Sequence, residues 1–118
     1  MDQNSENPID MLISVKDKIS FFQSLTSFEI LELVEDVKIY TYKDKDVIFC
    51  EGNTTSKDMY YLLFGSINIL KKVDSITYKL IQTISEPCLF GELHVITGEA
   101  RNATVEAKGE KTLILKFK

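Results

Sequence analysis

The spacing of apolar positions in this chain changes near Asp36. Before it, Ile9, Leu12, Ile13, Lys16 and Ile19 give an approximate helical stripe, with Pro8 acceptable near its start. A second helix is predicted from Thr26-Ser27-Phe28-Glu29, which has the capping-box form, followed by Ile30, Leu31, Leu33 and Val34. After Asp36 the period is two. Val37, Ile39 and Thr41 take one face of a strand, and Lys38, Tyr40 and Tyr42 the other. Val47–Cys50, Met59–Phe64, Ser66–Val73 and Ser75–Ile84 continue as short strands rich in β-branched and aromatic residues. In the last of these, Ile76, Tyr78, Leu80, Gln82 and Ile84 alternate with Thr77, Lys79, Ile81 and Thr83. Turn chemistry separates the strands at Asp44-Lys45-Asp46, Gly52-Asn53, Gly65 and Asp74-Ser75. Gly52 and Gly65 read as strand ends that need a positive φ. Asn102–Ala107 and Lys111–Phe117 follow, joined by Lys108-Gly109-Glu110. About eight strands, N-terminal helices and one short helix after Gly91 predict a mainly β fold, a double-sheet jelly roll.

A chain of 118 residues suits one domain with one core. Its apolar runs are only a few residues long, so no segment is expected to span a bilayer. The opening MDQNSENPID lacks the basic-then-apolar order of a signal peptide and reads as a frayed tail. Residues 1–18 are accordingly assigned to a tail and helix, and 19–118 to the β-roll. The formal charge is −4, with no basic face, which argues against direct nucleic-acid binding. Cys50 and Cys88 have no metal-ligand spacing and read as small buried or half-buried side chains in a reducing cytoplasm.

The chemistry concentrates in Phe90-Gly91-Glu92-Leu93 and in Arg101-Asn102-Ala103-Thr104-Val105. Gly91 lets backbone approach a ligand, and the start of a short helix after it offers free N–H groups to an anion. Glu92 supplies an acceptor for hydroxyl groups, and Arg101 a planar fork of donors for phosphate oxygens. Phosphate and sugar hydroxyl together point to a nucleotide. Other readings stay open: Glu92 as a helix N-terminal acid, Arg101 as a solvated charge, or the two paired in an empty pocket. On the ligand reading, truncating Arg101 leaves the fold intact. His94 is the only histidine, and without clustered partners it is not read as a metal or haem ligand. One histidine and scattered acids supply no catalytic constellation, so an enzyme is not expected.

The stretch FGELHVITGEARNATVEA resembles the phosphate-binding cassette of the cyclic nucleotide-binding domain family. This is the type found in catabolite activator protein and the regulatory subunits of cAMP-dependent kinase. Residues 19–42 look like the family's opening helix and first strand, Val47–Gly52 like its second strand and turn, and Asp58–Ile69 like its central hairpin. The resemblance implies the same jelly-roll fold. It gives Glu92 the ribose 2′-hydroxyl, Arg101 the cyclic phosphate, and the backbone of Gly91, Leu93, Asn102 and Ala103 the rest of the cradle. The implied ligand is cAMP or, as the second choice, cGMP, with no other cofactor. A homodimer or a downstream effector domain is the implied partner.

Several positions depart from the family pattern. Lys45 stands where a turn glycine is usual, Pro87-Cys88 replaces Gly-Asp, Ala100 replaces the Pro before the arginine, and Asn102 replaces Ala, Ser or Thr. The chain stops at Lys118, where the family continues into two helices, the second closing over the purine. A fragment or a lidless module is expected from this. The sequence therefore leads to a cyclic nucleotide sensory module, with a degenerate, ligand-free jelly roll for dimerisation or docking as the rival.

Overall fold

The computed structural model describes residues 7–19, 22–34, 36–54, 58–92 and 98–117. Local polar side chains start both helices. Asn7 caps α1 (Pro8–Val15), its side chain accepting from the Ile9 N–H at 2.8 Å. Thr26 caps α2 (Ser27–Leu33): its hydroxyl accepts from the Glu29 N–H at 3.2 Å, and the Glu29 carboxylate accepts from the Thr26 N–H at 2.9 Å. This reciprocal pair satisfies two N–H groups that the helix cannot.

The strands are β1 (Val37–Tyr42), β2 (Val47–Phe49), β3 (Met59–Lys72), β4 (Tyr78–Ile84), β5 (Leu89–Phe90) and β6 (Thr104–Phe117). They form one antiparallel sheet in the order β1-β6-β3-β4, with β2 also on β6 and β5 also on β3. The fold is mainly β, as expected. Of the N-terminal helices, α1 lies against β1 and α2 against α1. The short helix expected after Gly91 falls with Leu93 and His94 on residues 93–97, outside the described residues; Glu92 stands at its edge.

Neighbouring residues in the long strands enter different cores. Tyr61, Leu115 and Phe117 pack against the helices with Leu12, Ile19, Phe22 and Ile30. Tyr60, Leu62, Ile67, Val105 and Ile114 face the other way, into the hollow of the bent sheet with Phe90. Both faces of β3 and β6 are buried there, so Tyr60-Tyr61-Leu62 and Leu113-Ile114-Leu115 are continuous apolar runs. β1 divides similarly: Val37 and Ile39 contact the helix-side core, whereas Tyr42 contacts the inner one and Thr41 is exposed.

Among the described residues there are six strands where about eight were expected: two turns predicted from glycine lie inside strands, and the short β5 was not foreseen. β3 runs through Gly65, whose φ is +97° at a register shift against β6. A Cβ on Gly65 would lie 2.5 Å from the Lys111 carbonyl and 2.8 Å from the Thr112 hydroxyl, so close approach is a second requirement there. β6 likewise continues through Lys108-Gly109-Glu110. β4 begins at Tyr78, since Asp74 closes a turn by accepting from the Ile76 and Thr77 N–H groups. Its predicted alternation is not realised. A register shift opposite Ile69 and Leu70 breaks the phase, and Tyr78, Leu80 and Ile81 are all exposed on this outer strand. Cys50 is exposed rather than packed, while Cys88 is half-buried.

Candidate functional site

β2, β3, β4, β5, the start of β6 and the segment before it line a cavity of about 350 Å³, within the roughly 300–1,000 Å³ range of small-molecule sites. Phe49, Ile69, Ile84 and Phe90 supply an apolar wall, and Gly91, Glu92, Arg101, Asn102 and Ala103 line the polar end. The structure thus brings five of the six sequence-predicted site residues to one cavity; Leu93 is outside the described residues. Glu92 is half-buried and Asn102 exposed.

Arg101 is not a surface charge. It is 2% exposed. Nη1 donates to the Gly91 carbonyl at 2.7 Å and Nη2 to the Asp58 carbonyl at 2.8 Å. Its guanidinium carbon lies 4.4 Å from the Phe49 ring centroid and 5.7 Å from that of Tyr60. Phe49, Tyr60 and Phe90 stack together, with Tyr60 and Phe90 5.3 Å apart and 16° from parallel. A planar, weakly hydrated cation suits such an aromatic bed, which lysine would use less well. Burial pushes the guanidinium below its ordinary range, opposed by Tyr60 and Asp58. Among the described residues no ion pair joins it to Glu92, so the paired-pocket reading is not realised.

Gly91 is required here twice over. Its φ is +78°, and a Cβ would stand 3.0 Å from Arg101 Nη1, 3.1 Å from Tyr60 and 3.3 Å from Phe49. Cys88 lies nearby and is half-buried; burial first, then the Glu92 and Glu86 carboxylates, push its thiol up.

Sequence reasoning missed Phe49, Tyr60 and Asp58. Phe49 and Tyr60 carried a signal as large aromatics in strands facing the core, but nothing local tied them to Arg101. Asp58 uses its main-chain carbonyl, which no side-chain pattern announces. Its carboxylate lies 3.4 Å from Lys116 Nζ. Burial opposes the Lys116 charge, but Asp58 and Tyr60 outweigh it and hold its pKa up. Among the described residues there is no cluster of metal-ligating side chains.

The cyclic nucleotide-binding domain family model matches residues 39–118, and the chain belongs to that family. No curated protein matches the sequence. Among solved structures, the regulatory domain of Toxoplasma gondii PKA with cAMP aligns over 94% of this chain and 42% of its own, at 19% identity and TM-score 0.77. The regulatory subunit of a cAMP-independent protein kinase A from Trypanosoma brucei aligns over 92% and 39%, at 23% identity and TM-score 0.73. Catabolite activator protein of Thermus thermophilus aligns over 80% and 44%, at 19% identity and TM-score 0.62. At these identities the likeness is one of fold. The chain spans about two-fifths of the length of each.

Proposed function

We propose that this domain binds a 3′,5′-cyclic nucleotide, cAMP in the first place, and serves as the sensory module of a signalling protein. The observation that carries the reading is the position of Arg101: a buried cation at the wall of a 350 Å³ cavity, beside Gly91 and Glu92. The apolar wall of Phe49, Ile69 and Ile84 suits a purine, and the polar end suits a sugar phosphate. In this reading Arg101 pairs with the phosphate, Glu92 with the 2′-hydroxyl, and the backbone of Gly91, Leu93, Asn102 and Ala103 completes the cradle. The nucleotide is bound and released unchanged.

A phosphate would compete with the Gly91 and Asp58 carbonyls for the Arg101 fork. Ligand binding would then bias the segment at Gly91 and the start of β3 together, shifting the conformational equilibrium by its differential affinity. The output belongs to a homodimer or a downstream effector domain, in the cytoplasm. No described helix is long and apolar enough to cross a membrane.

One observation favours a second reading. The Arg101 fork already holds two main-chain carbonyls, as expected of a vestigial pocket kept for packing in a docking module. Calorimetry and thermal shift with cAMP, cGMP and AMP separate the two. Saturable binding of a cyclic nucleotide in preference to AMP supports the sensor. No binding of either cyclic nucleotide leaves the docking module.

A further inference from the structure

The segment Arg101–Thr104 is gripped by the turn that follows β2. The Gly52 N–H donates to the Arg101 carbonyl at 2.8 Å, and the Arg101 N–H donates to the Asn53 carbonyl at 2.9 Å. The Glu51 N–H donates to the Thr104 hydroxyl at 2.9 Å. The Glu51 carboxylate reaches the far end of β3, accepting from the Lys72 N–H at 2.9 Å and lying 3.5 Å from Lys71 Nζ. Lys71 Nζ also donates to the Asn102 carbonyl. One ammonium therefore fastens β3 both to the turn after β2 and to the residue that follows Arg101.

Lys71 stands at a costly place. Its register partner on β4 is Lys79, and like charges directly opposite in an antiparallel pair destabilise it. The Glu51 carboxylate offsets this. Its own pKa is lowered, first by the Lys72 N–H and then by the Lys71 charge. An exposed ion pair alone contributes little stability, so the arrangement has small value as a mere surface bridge. Its geometry has a different consequence. A peptide unit is planar and trans, so its C=O and N–H point in opposite directions. With the Asn102 carbonyl held on Lys71, the Ala103 N–H is aimed away from the ammonium. Arg101, Asn102 and Ala103 all line the cavity.

We infer that Lys71, seated on Glu51, is a positioning residue for the anionic group of the ligand: it orients the Asn102–Ala103 peptide and keeps Arg101 at the cavity wall. This rests on the cyclic-nucleotide reading above. Lys71 acts through the backbone of its neighbours and does not itself touch the ligand.

The test compares wild type, Lys71→Met and Lys71→Arg by calorimetry with cAMP. Amide hydrogen exchange at Arg101, Asn102 and Ala103 is measured on the same proteins without ligand. Lys71→Met is expected to weaken cAMP roughly five- to tenfold, the scale of one indirect charge-assisted hydrogen bond, with little change in thermal midpoint. Lys71→Arg, which keeps the charge and the donors, restores most of the affinity. Exchange at the three amides quickens in the Met variant and returns towards wild type with arginine. Wild-type affinity in Lys71→Met, or no recovery with arginine, overturns the inference. If the wild type takes no cyclic nucleotide, the functional reading falls, and unchanged amide exchange in Lys71→Met then overturns the positioning role as well.

Discussion

Arg101 donates to the carbonyl of Gly91 across 2.7 Å, and the same nitrogen lies 3.0 Å from where a Cβ on Gly91 would stand. The glycine thus leaves room for the arginine and accepts its hydrogen bond. Gly91→Ala forces a left-handed backbone onto an alanine and crowds three neighbours at once. A loss of about 1–3 kcal/mol is expected in denaturant unfolding, the scale of one strained backbone position. A variant as stable as wild type would show that the segment relaxes without cost.

The burial of Arg101 corrects the expectation that its truncation spares the fold. Arg101→Ala leaves two carbonyls without their donors and empties the space over Phe49. Destabilisation on the order of 3 kcal/mol should follow. Lost cAMP binding in that variant would be ambiguous, so Arg101→Lys is the better probe of ligand contact. It keeps the charge but not the fork, and should bind cAMP about tenfold more weakly while remaining folded. Equal affinity in a folded Arg101→Lys protein would remove the bidentate phosphate contact from the reading.

Glu92 is tested by pairing a substitution with a ligand change. Glu92→Gln should weaken cAMP about tenfold and 2′-deoxy-cAMP much less, because the charged acceptor is assigned to the 2′-hydroxyl. Titration of both proteins with both ligands gives the coupling. Equal losses for the two nucleotides would return Glu92 to a helix-terminal role.

Lys45 adopts a φ of 71°, at the turn position where the family pattern has glycine. Its N–H donates to the Ala107 carbonyl, so the conformation is held by the sheet. Left-handed backbone costs a residue with a Cβ roughly 1–2 kcal/mol, and glycine loses part of that gain to its unfolded-state entropy. Lys45→Gly should therefore stabilise the protein by about 0.5–1 kcal/mol in urea unfolding. A destabilised variant would mean that the Lys45 side chain contributes more than its backbone strain costs.

Tyr42 gives a pH dependence with a definite sign. Burial first, then Tyr60 and Tyr40, push its phenol up to about 12 from an ordinary 10.0. The folded state thus keeps this proton longer than the unfolded chain does. Its contribution is intact below pH 10.0 and is lost as pH rises towards 12. Tyr42→Phe should flatten the alkaline loss of stability across that window, read as urea midpoints against pH. Parallel curves for the two proteins would assign the alkaline transition to other groups.

Much of this protein was legible along the chain because the physics is local. The capping box at Thr26 and Glu29 spans three residues, and the change from helical to alternating spacing needs only neighbouring side chains. The order of Gly91, Glu92 and Arg101 was enough to mark the polar end of the cavity. What the sequence could not decide depends on strand register. Gly65 and Gly109 looked like turns, but in a strongly bent sheet a positive φ can re-aim a strand without ending it. The burial of Arg101 was not legible because its acceptor at Asp58 is 43 residues away and is a main-chain carbonyl. Lys71 meets the Asn102 carbonyl across 31 residues for the same reason. Periodicity decides which face a side chain takes. Which cavity that face lines, and which carbonyls wait there, follows only from how distant strands align.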